Sequence, residues 1–154
     1  MRHHRVGTAI ASFVVMEPAT YAAHRWVMHG VGWVLHRSHH EDRVTDLQAR
    51  AAALEANDAF PVIFGTVTVL AMAAGSRRSS LRALVSIGCG VTAYGAAYGL
   101  VHDVYIHARL GPPPVVGLLE RLKEAHRFHH AYGGEPYGML FPVVPARVRA
   151  LAAR

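Results

Sequence analysis

The sequence predicts an all-α integral membrane bundle of about three spans, with four as the alternative, and three observations carry that reading. The 154 residues are 52% hydrophobic with a mean hydropathy of +0.19, more apolar than a soluble domain of that size requires. Three apolar stretches approach the length of a lipid-crossing helix. All twelve histidines fall outside those stretches, ten of them in four groups, so the polar chemistry is kept apart from the apolar scaffold.

Val6 to Ala23 is the first expected span. Its surroundings have the outline of a secretory signal: basic Met1-Arg2-His3-His4-Arg5, an apolar core to Met16, and small residues at Thr20-Tyr21-Ala22-Ala23. Glu17-Pro18 interrupts that outline, and cleavage would detach the span from the histidines that follow it. Phe60 to Gly75 is the second span, short for an ~30 Å hydrocarbon core at ~1.5 Å per residue, so its ends must lean on interfacial residues. The polar link Gly75-Ser76-Arg77-Arg78-Ser79-Ser80 is tight enough to make the second and third spans an antiparallel hairpin. Leu81 to Val101 is the third span, with Gly95 and Gly99 at a spacing suited to helix packing. Gly111-Pro112-Pro113-Pro114 then stops helix. Val115 to His130 resumes it, with Val115, Leu118, Leu119 and Leu122 beside Glu120, Arg121, Lys123 and Glu124, the pattern of an interfacial amphipathic helix. Trp26 and Trp33 are expected at the membrane interface. Residues 1–154 form one expected domain.

The formal charge of +6 is spread between apolar stretches and forms no single polar arm, which argues against nucleic acid and for anionic headgroups and acidic partners. Arg2, Arg5, Arg77, Arg78 and Arg82 fall on one side of the expected bundle. Arg25, Arg37, Arg43, Arg50, Arg109, Arg121, Lys123, Arg127, Arg147, Arg149 and Arg154 fall on the other. The larger set is expected in the cytoplasm, with the N-terminus outside. The single cysteine, Cys89, allows neither an intramolecular disulfide nor a cysteine-built zinc or iron–sulfur site.

The histidines come as a pair, a triplet, a pair and a triplet: His24 and His29; His36, His39 and His40; His102 and His107; His126, His129 and His130. Both triplets read His-x-x-His-His and both pairs have four residues between partners, so one half of the chain echoes the other. On a helix the outer histidines of a triplet share a face, and the middle one lies about 100° away, so one triplet can address two neighbouring ions. The pairs lie about 140° apart on an α-helix, which is awkward for one ion unless the helix end loosens or the rings serve different ions. Spacing does not assign rings to ions. All ten histidines are expected on one membrane face, that of the larger basic set, whereas His3 and His4 belong to a basic terminus on the other side.

Nitrogen-only ligation suits zinc, copper, nickel or iron, and ten rings exceed the needs of one ion, so two ions share the set. A haem needs two axial histidines within the spans, which is not this pattern; zinc would suit a hydrolytic centre but, without redox chemistry, cannot activate oxygen. Asp103 beside His102, and Glu41 and Asp42 after His40, are placed to accept the second N–H of a ligand ring. Asn57 and Asp58 either cap the second span or support the site in the same way.

The stretches Met16-Glu17, His24-Arg25-Trp26-Val27-Met28-His29-Gly30, His36-Arg37-Ser38-His39-His40-Glu41 and Leu54-Glu55-Ala56-Asn57-Asp58 resemble the bacterial β-carotene hydroxylases. So do Thr92-Ala93-Tyr94-Gly95, Val101-His102-Asp103, His107 and Ala125-His126-Arg127-Phe128-His129-His130-Ala131. These hydroxylases sit within the wider group of membrane fatty-acid hydroxylases and sterol desaturases. The histidine boxes alone indicate that wider group, and Met-His-Gly, His-His-Glu and Ala-Asn-Asp in this order point to the carotenoid branch. The stretch Tyr132 to Leu140 is shorter than in that family, a departure that bears on the substrate entrance.

The resemblance implies a non-haem di-iron monooxygenase of the bacterial inner membrane. It would hydroxylate β-ionone rings at C3, converting β-carotene through β-cryptoxanthin to zeaxanthin in carotenoid biosynthesis. The ten histidines would bind two Fe, with O2 as co-substrate and no protein nucleophile or base. With no flavin, nucleotide or haem fingerprint in the chain, electrons are expected from an external donor, an acidic ferredoxin with its reductase on the basic cytoplasmic face. Tyr94 and Tyr98 step toward His102 at four-residue intervals and are expected either to pack or to line a slot for the polyene and its ring. The rival readings are a carotenoid ketolase or a fatty-acid or sterol hydroxylase or desaturase. A membrane metal carrier would instead need ligands in the middle of its spans.

Overall fold

The computed structural model describes residues 2–41 and 54–153, and no strand occurs among the described residues. Helix α1 (Arg2–Ala22) runs on into a π-helical stretch, Ala23–Val31, followed by α2 (Trp33–Glu41). A short 3₁₀ turn, Ala56–Asp58, leads into α3 (Ala59–Arg77), and a second, Ser79–Leu81, leads into α4 (Ala83–Gly99). Helix α4 likewise continues as a π-helical stretch, Leu100–Ile106, before α5 (Gly117–Tyr132) and α6 (Ala146–Ala152). Among the described residues, three helical runs, His3–Val31, Ala56–Arg77 and Ser79–Ile106, are long and apolar enough to cross a membrane. The three-span expectation therefore holds. The second run reaches 22 residues because the 3₁₀ turn at its start and Ser76 and Arg77 at its end extend it beyond the apolar stretch.

The chain divides into two compact units. The first consists of Met1–Met16 and Asp58–Ala97. It turns Val6, Ile10, Val14 and Val15 of α1, and Val62, Ile63, Phe64, Val67, Val69 and Leu70 of α3, outward, an arrangement that lipid tails stabilise and water does not. The hydroxyls of Thr8, Ser12, Thr68 and Ser76 donate to carbonyls one turn back, which gives each of these four a partner within its own helix. Inside the unit Phe13 meets Tyr94 edge to face, with ring centroids 5.6 Å apart. Close helix approach falls at glycines other than the expected pair. A Cβ on Gly90 would lie 2.2 Å from the Ala9 carbonyl oxygen, and one on Gly88 would lie 2.2 Å from Met72 Cγ. Nothing lies within 4 Å of a Cβ at Gly95, and at Gly99 only Asp103 Oδ2, at 3.7 Å.

The second unit consists of Glu17–Asn57 and Tyr98–Arg154 and contains both π-helical stretches, α2, α5 and α6. Its small apolar core is Tyr105, Ile106 and Met139, with Tyr98, Val101, Leu119 and Leu140 packed against it. Helix α5 begins after the proline run and ends at Gly133, whose φ of +64° places it in the left-handed region while its N–H donates to the His129 carbonyl. Leu119 faces the core, and Ala125, His126 and His129 are buried, whereas Leu118 stays 69% exposed beside exposed Val115. Helix α5 thus keeps the outward apolar residues of an interfacial helix and uses its other face for the interior of the unit.

Candidate metal centre

All ten histidines of the sequence pattern lie in the second unit, and their ring nitrogens converge in two sets. His24, His29, His36, His40 and His129 form one; His39, His107, His126 and His130 form the other, and within each set the donor atoms lie within 4.8 Å of one another. His102 joins the second set through its Nε2, 3.0 Å from Nε2 of His39. The allocation is crosswise. The outer histidines of each triplet, on one helical face, stay with the pair from their own half of the chain. The middle histidine, His39 or His129, crosses to the other set, as the rotation of about 100° between adjacent helical residues allows.

The awkward pairs are reconciled by the π-helical stretches. His24 lies in the first of them with His29, and His102 lies in the second, with His107 at its end. The widened turn is closed by bonds from the Gly32 N–H to the Val27 carbonyl, 2.7 Å, and from the His107 N–H to the His102 carbonyl, 2.9 Å. Such i→i+5 bonds bring residues five apart toward one face, which an α-helix does not. Gly30, at φ −105° and ψ −113°, breaks the first stretch and redirects the chain into α2.

The outward nitrogens of four rings are tied to acceptors. His24 Nδ1–H donates to the Tyr137 carbonyl at 3.0 Å and His36 Nδ1–H to Asn57 Oδ1 at 2.7 Å. His129 Nδ1–H donates to the Gly134 carbonyl, and His102 Nδ1–H to Asp103 Oδ1 at 2.8 Å. A carbonyl or carboxylate oxygen accepts only, so each of these rings carries its proton on Nδ1 and, when neutral, presents a lone pair at Nε2. Burial keeps the rings neutral. It lowers the His36 and His130 pKa values and pushes His126 far down, and burial with neighbouring imidazoles brings His40 to about 2. Burial likewise lowers His107 and His129 to about 3.

The Nε2 lone pairs of His24 and His36 then face one another, 3.1 Å apart with no proton between them. The Nε2 atoms of His40 and His129 are also 3.1 Å apart, and those of His126 and His130 are 2.8 Å apart. Ligands about 2.1 Å from one ion at right angles sit about 3 Å apart, so the spacing and the neutral nitrogen donors both fit a cation at the centre of each set. Nitrogen ligation of this kind suits a transition metal and leaves hard, oxygen-seeking cations out.

Among the expected supporting residues, Asp103 and Asn57 take that part. Asp58 precedes α3 without a side-chain cap, the side chain of Glu41 is not described, and Asp42 lies outside the described residues. Tyr98 rests with its ring 5.1 Å from that of His102, while Tyr94, 1% exposed, packs on Phe13 in the first unit. Three contributors lie outside the expected supporting residues: the carbonyls of Gly134 and Tyr137, and Glu55, whose Oε2 is 3.8 Å from His39 Nδ1. Trp33, expected only as an interface residue, lies against His29 and His40 at 5.3 and 5.5 Å.

The chain is similar to known proteins along most of its length. The fatty acid hydroxylase family model matches residues 9–146. The chain is 38% identical to the β-carotene hydroxylase of Pseudescherichia vulneris over 148 residues, covering 92% of this chain and 79% of that one. It is 38% identical to the β-carotene hydroxylase of Pantoea ananas, covering 88% and 75%, and 36% identical to that of Paracoccus sp. (strain PC1), covering 89% and 81%. No solved structure matches the chain.

Proposed function

This chain belongs to the fatty acid hydroxylase family, and from that premise we propose that it is a membrane β-carotene 3-hydroxylase whose ten histidines hold two iron ions. The observation that carries the reading is the pair of crosswise histidine sets in a chain so close to β-carotene hydroxylases. Iron bound there would supply the reduction and activation of dioxygen that hydroxylating an unactivated ring C–H demands. The chain's own part is to hold and orient. Tyr137, Gly134, Asn57 and Asp103 fix the tautomers of four rings, Trp33 walls the first set, and Tyr98 offers an aromatic face beside His102 for the substrate ring. The products are β-cryptoxanthin and then zeaxanthin.

The sequence of basic residues supports a site on the cytoplasmic face of the bacterial inner membrane, with membrane lipid around the spans. It also supports an external electron donor, an acidic ferredoxin with its reductase, meeting Arg121, Lys123 and Arg127. The family match runs through residues of both units, which supports 1–154 as one working domain. The deciding experiment is the carotenoid profile of β-carotene-producing bacterial cells that express the protein, beside a His39→Ala control. Species with one and two added hydroxyls, absent in the control, are expected. An unchanged profile with the protein verified in the membrane would reject β-carotene as substrate and favour another lipid of the wider group. Turnover by purified protein with NADPH alone would reject the external donor.

A further inference from the structure

We propose that Glu17 is a positioning residue for the first histidine set, acting through the segment 134–141, and that the second set does not depend on it. The inference rests on the metal reading above.

Glu17 lies on α1, half-buried. Its Oε1 accepts the backbone N–H groups of Met139 at 2.9 Å and Phe141 at 3.0 Å, and its Oε2 accepts that of Leu140 at 3.2 Å. Charge-assisted bonds of this kind are roughly twice as strong as neutral ones, and three of them on one carboxylate hold three consecutive residues of a segment that has no helix or strand of its own. One turn along α1, the Tyr21 hydroxyl donates to Glu135 Oε1 at 2.5 Å, and Arg25 meets the same oxygen at 2.9 Å. The segment is therefore tied to the first helix on both sides of Tyr137.

What lies between and beside those ties is the support of the first set. The Tyr137 carbonyl holds His24, and the Gly134 carbonyl holds His129. Two of the five rings of that set thus owe their tautomer and orientation to a short irregular stretch, and that stretch owes its place to Glu17. Gly138 shows how closely it is seated: a Cβ there would lie 2.8 Å from Glu17 Oε1 and 3.4 Å from the Phe141 carbonyl. The second set is supported by the carboxylates of Asp103 and Glu55, neither of which belongs to the segment.

Two variants disturb the tie independently. Glu17→Gln keeps the shape, removes the charge and turns an amide N–H toward backbone donors. Gly138→Ala keeps the charge and forces the carboxylate and the segment apart. Purified wild type and both variants would be loaded with ferrous iron anaerobically and exposed to a chelator, with iron per chain followed over time and Mössbauer spectra taken during release. In each variant one of the two ions is expected to leave at least ~10-fold faster than in wild type, the magnitude typical of a lost supporting partner, with one ferrous doublet fading first. The other ion should leave at the wild-type rate. Wild-type release of both ions in both variants overturns the proposal, as does joint loss of both ions, which would make the tie a prop of the whole unit. A wild-type chain that takes up no iron overturns the metal reading itself and the proposal with it, an outcome recognisable before any variant is compared.

Discussion

The two histidine sets are built from the same spacings and differ in what stands behind the rings. Behind the first are neutral oxygens, the carbonyls of Tyr137 and Gly134 and the amide of Asn57. Behind the second are carboxylates, Asp103 at hydrogen-bond distance and Glu55 at ion-pair distance. A neutral acceptor fixes a ring's tautomer; a carboxylate does that and also raises the basicity of the nitrogen facing the ion. Repetition in sequence has therefore produced two candidate sites with like ring donors and unequal electrostatics, the second expected to grip a cation harder.

The largest effect should come from removing a ring from each set. His36→Ala in the first and His126→Ala in the second are each expected to abolish hydroxylation and to lower bound iron from two per chain to one, as read by product analysis and elemental analysis. The loss should exceed the ~10–100-fold cost of losing a supporting partner. If either variant kept substantial activity with one ion, the two sets would not be partners in one reaction, and the comparison would become one of a working site with a spare.

Acid should act on both sets at once and so bounds how far they differ. Burial lowers His107 in the second set and His129 in the first to about 3, and His40 to about 2, from an ordinary value of 6.5. The folded chain therefore binds fewer protons than the unfolded one below 6.5. The stability of the metal-free chain should be level above that value and fall as pH drops toward about 3, where the folded rings protonate in turn. Protons also compete with the ion for the same lone pair, so bound iron should leave through the upper part of that window. Denaturant unfolding of the metal-free chain above and inside the window checks the first statement. Iron content over the same range checks the second, and retention of both ions deep inside the window would count against histidine ligation.

The supporting residues sharpen the contrast. Asp103→Ala is expected to weaken the second ion by ~10–100-fold, because it removes a charge as well as an acceptor, and Asn57→Ala to weaken the first by only the lower end of that range. Competition titration with a chelator on each variant separates the two. Equal effects would mean that tautomer fixing is the whole contribution of these residues.

Much of this was legible in the sequence because it repeats or has a period. The three spans follow from apolar length, and the triplets His36-His39-His40 and His126-His129-His130 state by spacing alone that each can face two ions. The rest was hidden for identifiable reasons. The pairs His24 and His29, and His102 and His107, are far apart on an α-helix, and only the π-helical stretches turn them together; no residue type announces such a stretch. The carbonyls of Gly134 and Tyr137 belong to the backbone, so the identity of those residues carries no sign of what they hold. Glu17 read as an interruption of an apolar core until Met139, Leu140 and Phe141 supplied its partners. Gly95 and Gly99 have the spacing of packing glycines, but which glycines meet a neighbour depends on where α1 and α3 lie, and that selects Gly88 and Gly90.

The smallest effect tests whether charge alone distinguishes the sets. Glu55 Oε2 is 3.8 Å from His39 Nδ1, beyond a hydrogen bond and within reach of Coulombic attraction. Its charge also raises the pKa of His107 against the dominant effect of burial, so its field extends over more than one ring of the second set. Glu55→Gln keeps the shape and deletes that field. The expected result is a loss of second-ion affinity of only about threefold, equivalent to well under 1 kcal/mol, because a carboxylate beyond hydrogen-bond distance acts on the ion only through its field. A loss as large as that of Asp103→Ala in the same titration would show that field strength governs the grip of the second set. No loss at all would leave the directed bond from His102 to Asp103 as its whole electrostatic advantage.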